Sequence, residues 1–137
     1  MTRAMIHLSI PITSIDSTLR FYRDLLGCTA TRIAANRIDF DFFGHHVVAQ
    51  LAPEEASYRG KAIGDDPFPL RHFGIIVTPD EFGPIRRRLA EAKANVAYGP
   101  SKLFVGTARE QEVIIVSDPS GNAIEIKSIA DPANVFH

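Results

Sequence analysis

Three residues, far apart in a chain of 137, are the first to suggest chemistry: His7, His72 and Glu125. The two histidines hold matching places in two copies of one pattern. "IHLSIPIT" (6–13) and "RHFGIIVT" (71–78) superpose at one offset, His7 on His72, Ile10 on Ile75, Ile12 on Val77 and Thr13 on Thr78. Glu125 lies in "DPSGNAIEIKSI" (118–129), on the strand face opposite Ile124 and Ile126. Two imidazoles and one carboxylate are donor types that bind a divalent metal while leaving coordination positions open for substrate. Each also has a plainer use. A strand histidine is commonly a hydrogen-bonded surface or core residue, and Glu125 can pair with Lys127 on its own face, a contact of little weight where exposed.

The elements that must position these residues also come in two copies. In the first strand Ile6, Leu8, Ile10 and Ile12 share a face, leaving His7, Ser9 and Pro11 on the other; in the second, Phe73, Ile75 and Val77 oppose His72, Gly74, Ile76 and Thr78. Both histidines thus take the less apolar face. After Ser14 or Asp16 as a cap, "STLRFYRDLLG" puts Leu19, Tyr22 and Leu26 at helical spacing, with Gly27 as the stop. After the second strand, Asp80 is expected to cap a helix that carries Phe82, Ile85, Leu89 and Ala92 and ends near Asn95. Three strands follow each helix. The first set is "CTATRI", "RIDFDFF" and "HHVVAQL" (45–51); the second is "VAYGPSKLF", "EVIIVS" (112–117) and "AIEIKSI". Between the halves runs "APEEASYRGKAIGDDPFPLR" (52–71), polar and rich in Pro and Gly, expected to be a linker or flap, with Tyr58, Arg59 and Lys61 as its binding-type side chains.

Composition narrows the function classes. A single domain of this length buries roughly two thirds of its unfolded surface, so it needs no external staple. The lone Cys28 excludes an internal disulfide and a thiolate cluster, which fits a reducing cytoplasm. A net charge of −1 provides no global field for nucleic acid or an anionic membrane. The basic run Arg86 to Arg88 reads as a solvated helix face. The start, "MTRAMIHLSI", holds too few apolar residues for a signal peptide or a span, so a soluble, cytoplasmic protein is expected.

The layout, with "FYRDLLG" (21–27), the paired strand-opening histidines and "DPSGNAIEI" (118–126), resembles the vicinal oxygen chelate (VOC) superfamily, which includes glyoxalase I, extradiol dioxygenases, fosfomycin resistance enzymes and bleomycin resistance proteins. The resemblance implies an α+β fold: one domain of two βαβββ modules, each part of an incomplete barrel, around a metal cleft and commonly within a homodimer. The modules are expected at 4–52 and 71–130, joined by a linker at 53–70. It implies His7, His72 and Glu125 as metal ligands, with Gln50 as a weaker fourth where glyoxalase I has a carboxylate. The ion expected first is Fe(II), with Mn(II), Zn(II) and Ni(II) as further choices. His46, on the strand of Gln50, is a candidate acid or base because imidazole titrates near neutrality. Lys102 and Arg109, in "KLFVGTAREQE", are candidate substrate-binding cations. The function implied is a dioxygenase or glyoxalase-type enzyme acting on a small oxygen-rich molecule; the alternative is a metal-free protein that sequesters its ligand, as bleomycin resistance proteins do.

Overall fold

The structure, a computed structural model, describes residues 3–56 and 69–137. The described chain divides into two units that repeat one plan. The first unit runs β1 (His7–Ile12), helix α1 (Ile15–Leu19) continued as a π-helix (Arg20–Leu25), β2 (Thr29–Ile33), β3 (Arg37–Phe42) and β4 (His45–Leu51), then a short α2 (Pro53–Ala56). The second runs β5 (Phe73–Val77), α3 (Pro79–Glu91), β6 (Asn95–Leu103), β7 (Gln111–Ser117) and β8 (Ala123–Ile129), ending in a 3-10 turn at Pro132–Phe136. The sheets are ordered β1-β4-β3-β2 and β5-β8-β7-β6, so both are open four-stranded sheets of the same mixed topology. The outer pairs β1–β4 and β5–β8 are parallel and the others antiparallel.

The apolar face of each sheet is covered by the helix that crosses it. In the first unit Ile38, Phe40 and Phe42 are buried on one face of β3, and Tyr22, fully buried, sets its ring 5.3 Å from Phe40. Leu19 and Leu26 join this core, as their helical spacing anticipates. Ser14 is the cap, its hydroxyl accepting from the Ser17 N–H at 3.2 Å. The last turn widens because Leu26 N–H reaches back five residues to the Phe21 carbonyl, and Gly27 follows at φ 80°, in the left-handed region glycine tolerates. Residues 119–122 group with this unit: Ser120 Oγ accepts from Thr13 N–H at 2.9 Å and Asn122 Nδ2 donates to the Pro11 carbonyl at 2.8 Å.

In the second unit Phe82, Ile85 and Leu89 of α3 are buried, as are Ile124 and Ile126 of β8. Both ends of α3 differ from the sequence expectation. Thr78, not Asp80, is the cap: the Glu81 carboxylate accepts from the Thr78 backbone N–H at 3.2 Å and hydroxyl at 2.9 Å, and Pro79 opens the helix. Asp80 instead sits in the first turn, where the helix dipole favours an acid. The helix ends at Glu91 because Lys93 turns left-handed (φ 54°), and Asn95 already begins β6. The basic run lies on the outer side, with Arg86 paired to Glu112 at 3.0 Å. Of the expected linker, Pro53–Ala56 is helical, while Tyr58, Arg59 and Lys61 lie outside the described residues.

Gly74 is the tightest point of the β5–β8 pair: a Cβ built there falls on the Glu125 carbonyl oxygen, whereas one at Gly83 in α3 meets nothing within 4 Å. Gly74→Ala is therefore expected to cost about 1–3 kcal/mol or more in urea unfolding. Gly83→Ala should add about 0.5–1 kcal/mol, because alanine gives up less backbone freedom in a helix. Equal midpoints for the two variants would contradict the close approach.

Candidate functional site

Parallel pairing builds the second unit's polar site. Gly74 lies beside Glu125 and Ile76 beside Lys127, so His72, one pleat before Gly74, shares their face of the sheet. His72 Nε2 is 3.2 Å from Glu125 Oε2, and Lys127 Nζ is 2.8 Å from Glu125 Oε1. The Glu125 side chain is 11% exposed and its neighbour across β7 is Ile115, so water does little of the solvation. His72 Nδ1 is 2.8 Å from the Pro69 carbonyl oxygen. A carbonyl only accepts, so Nδ1 carries the hydrogen and, in a neutral ring, Nε2 is a bare lone pair. That lone pair faces a carboxylate oxygen, which also only accepts. Such a contact needs a positive centre, either a second ring proton or a metal ion. An imidazole nitrogen and a carboxylate oxygen that share one ion, each at about 2.1 Å, stand about 3 Å apart, so the pair's spacing and donor chemistry fit a metal. Lys127 competes for the same carboxylate, as the plainer reading of Glu125 supposes.

In the first unit His7 pairs in register with His46, and their rings lie 4.8 Å apart between centroids with 24° between planes. Their Nδ1 atoms are 2.8 Å apart. His46 Nε2 is 3.4 Å from Asp39 Oδ1, and Asp39 is held by Arg37 at 2.7 Å. Gln50 differs from its expected role. Since β1 repeats as β5, Ser9 corresponds to Gly74 and Pro11 to Ile76; Ser9 pairs with Val48 and Pro11 with Gln50. Val48 thus holds the place of Glu125, and Gln50 that of Lys127. Gln50 is exposed and donates from Nε2 to Ser9 Oγ at 2.7 Å. The sequence alignment is one pleat out, because strand register is not visible in one strand alone.

The two candidate substrate cations do not join Glu125. Lys102 pairs with Glu112, which pairs with Ser128, and Ser128 points away from the face of Glu125 and Lys127. Lys102 lines a groove of about 490 Å³ there with Glu110, Glu112, Ser128 and Asp131. Arg109 lies at the exposed β6–β7 tip with its guanidinium 4.7 Å from the Phe104 ring centroid, as in an ordinary polar hairpin tip. Among the described residues no group of three His, Cys, Asp or Glu side chains is drawn close enough to hold a metal ion. None of their helices is long and apolar enough to cross a membrane.

Residues 4–126 match the sequence profile of the Glyoxalase/Bleomycin resistance protein/Dioxygenase superfamily. The chain belongs to this superfamily. A virulence protein of Salmonella typhimurium is 28% identical over 120 residues, which is 88% of this chain and 80% of that protein. The crystal structure of a glyoxalase/bleomycin resistance protein/dioxygenase from Alicyclobacillus acidocaldarius superposes with a TM-score of 0.73 and 29% identity, covering 95% of this chain and 94% of that one. A fosfomycin resistance protein of Listeria monocytogenes has the same fold at a TM-score of 0.69 and 12% identity, covering 93% of this chain and 94% of that one.

In this superfamily member Asp39, Arg37 and the Pro69 carbonyl also touch the candidate histidines or their partners, beyond the residues that the sequence pattern singles out. Asp39 had a signal: in "RIDFDFF" it alternates with Ile38 and Phe40 and so falls on the polar face. The carbonyl had none, since any residue supplies one. The Arg37 hydrogen bond holds the Asp39 carboxyl below the usual carboxylate range against the opposing effect of burial, with His46 and Arg32 adding to it. A carboxyl whose pKa is lower in the folded state stabilises the protein above its unfolded value, about 3.9, and loses that contribution as pH falls through the folded value. Asp39→Asn is expected to lower the urea midpoint at pH 7, with the gap from wild type closing below about pH 4; a gap constant from pH 7 to pH 3 would contradict this. Burial pushes the Cys28 thiol up to about 12, with the Asp41 charge adding to it. At pH 8 its thiolate fraction is on the order of 10⁻⁴, so a thiol reagent should leave the native protein untouched and label it in urea; rapid native labelling would contradict burial.

Proposed function

We propose that the protein is a metal-dependent enzyme of the extradiol dioxygenase or glyoxalase type, acting on a small oxygen-rich molecule. His72 and Glu125 hold the ion, Fe(II) first among the candidates, and His7 is the third ligand by its correspondence to His72 in the repeat. A divalent metal bound there supplies a Lewis acid with positions open to two neighbouring substrate oxygens. The observation that carries this reading is the 3.2 Å contact between His72 Nε2 and Glu125 Oε2, with His72 Nδ1 committed to a carbonyl. Val48, at the first module's counterpart of Glu125, leaves one carboxylate in the set. This favours the His, His, Glu donor set of a dioxygenase over an isomerase that needs a second carboxylate as base. A homodimer in the cytoplasm, with no nucleic-acid or membrane partner, belongs to the same reading.

A metal-free binding protein is the second reading, favoured by the Lys127–Glu125 ion pair at 2.8 Å. Lys127 supplies the positive charge such a site needs in place of a metal. Elemental analysis of protein purified anaerobically without chelator separates the two. The enzyme reading expects near-stoichiometric metal in wild type and at least a tenfold loss of affinity in His72→Ala. Absence of metal under aerobic and anaerobic purification alike, together with zinc binding that His72→Ala does not change, would establish the binder instead.

A further inference from the structure

We propose that Asp39 and His46 form a hydrogen-bond relay that fixes the tautomer of His7, which makes His46 a positioning residue for His7 and not an acid or base of the reaction. The inference rests on the metal reading for its purpose, but the relay itself is a property of the metal-free chain.

Each hydrogen in the relay is assigned by elimination. The Asp39 side chain is 9% exposed, and Arg37 Nη2 lies 2.7 Å from its Oδ1 with Arg32 Nε 3.6 Å from its Oδ2. Two guanidiniums keep it ionised, and an ionised carboxylate only accepts. His46 Nε2, 3.4 Å from Asp39 Oδ1, is therefore the donor and carries a hydrogen. In a neutral His46 the other nitrogen, Nδ1, is then a lone pair. That atom is 2.8 Å from His7 Nδ1, a distance that admits one hydrogen between two nitrogens. His7 must provide it. The outcome is a His7 ring protonated at Nδ1 and bare at Nε2, the form able to ligate through Nε2.

The second module reaches the same tautomer by another route, since the Pro69 carbonyl takes the hydrogen of His72 Nδ1. In its neutral form each strand-opening histidine thus has its hydrogen on Nδ1 and its lone pair on Nε2. His46 occupies the register position beside His7, and with centroids 4.8 Å apart and planes at 24° the two rings meet edge to edge along the Nδ1–Nδ1 line. With both of its nitrogens engaged, His46 has none left to exchange a proton with a substrate.

The test is long-range ¹H–¹⁵N correlation on metal-free protein labelled at histidine, with zinc affinity measured by chelator competition on the same samples. In wild type His7 is expected as the Nδ1–H tautomer, and in His46→Leu it should shift toward Nε2–H. Zinc affinity should fall about 10–100-fold in His46→Leu and recover to within a few-fold in His46→Asn, whose side-chain oxygen accepts from His7 Nδ1. A His7 protonated at Nε2 in wild type, or a His46→Leu variant with unchanged tautomer and affinity, overturns the relay. If zinc binding is indifferent to His72→Ala while the tautomer shifts as stated, the relay stands and the metal reading fails.

Discussion

In each half of this protein the first strand lies parallel to the last, and the chemistry depends on that pairing. Parallel neighbours cannot be joined by a tight turn, and here a helix and two strands intervene. The pairing therefore sets side by side residues that are distant in the chain: His7 beside His46, and His72 near Glu125. It also puts them on the face that the helix does not cover. Gly74 shows how closely the strands approach, since a side chain there would collide with the Glu125 backbone. Only a residue without Cβ fits.

Once the strands are placed, the chemistry becomes a question of where hydrogens lie. An imidazole ligates through a nitrogen that carries no proton, and its other nitrogen must be occupied for that state to be held. In the proposed site the two modules meet this condition differently. His72 uses the Pro69 carbonyl, a partner that needs no particular side chain; His7 uses a second imidazole backed by Asp39 and Arg37. The first solution is cheap in residue types, while the second needs four side chains in register on three strands. Burial of Asp39 among two arginines helps to keep that chain of donors and acceptors pointing one way.

The repeat also shows where the halves have diverged. His7 and His72 differ by 65 in number (72 minus 7), but their last strands differ by 77 (125 minus 48, for Glu125 and Val48). The twelve extra residues go chiefly into longer β6–β7 and β7–β8 connections and longer strands in the second unit, including the Arg109 tip and the edge that carries Lys102. That edge serves the helix-covered side of the sheet, so cations that look available to a substrate near Glu125 belong to another surface.

Alternation and turn residues alone sufficed for the order of elements, the two-module plan, the core rows Ile38, Phe40, Phe42 and Ile124, Ile126, and the faces of His7, His72 and Glu125. These properties follow from periods of two and 3.6 within one segment, and composition expresses them directly. Which residue of β4 stands opposite which residue of β1 was decided only by the assembled sheet, and with it the exchange of Gln50 for Val48 and the meeting of His7 with His46. A backbone carbonyl such as that of Pro69 has no sequence signature, and a one-residue change of register turns every side chain to the opposite face. Partnership across strands is set by long-range pairing, which the local pattern does not encode.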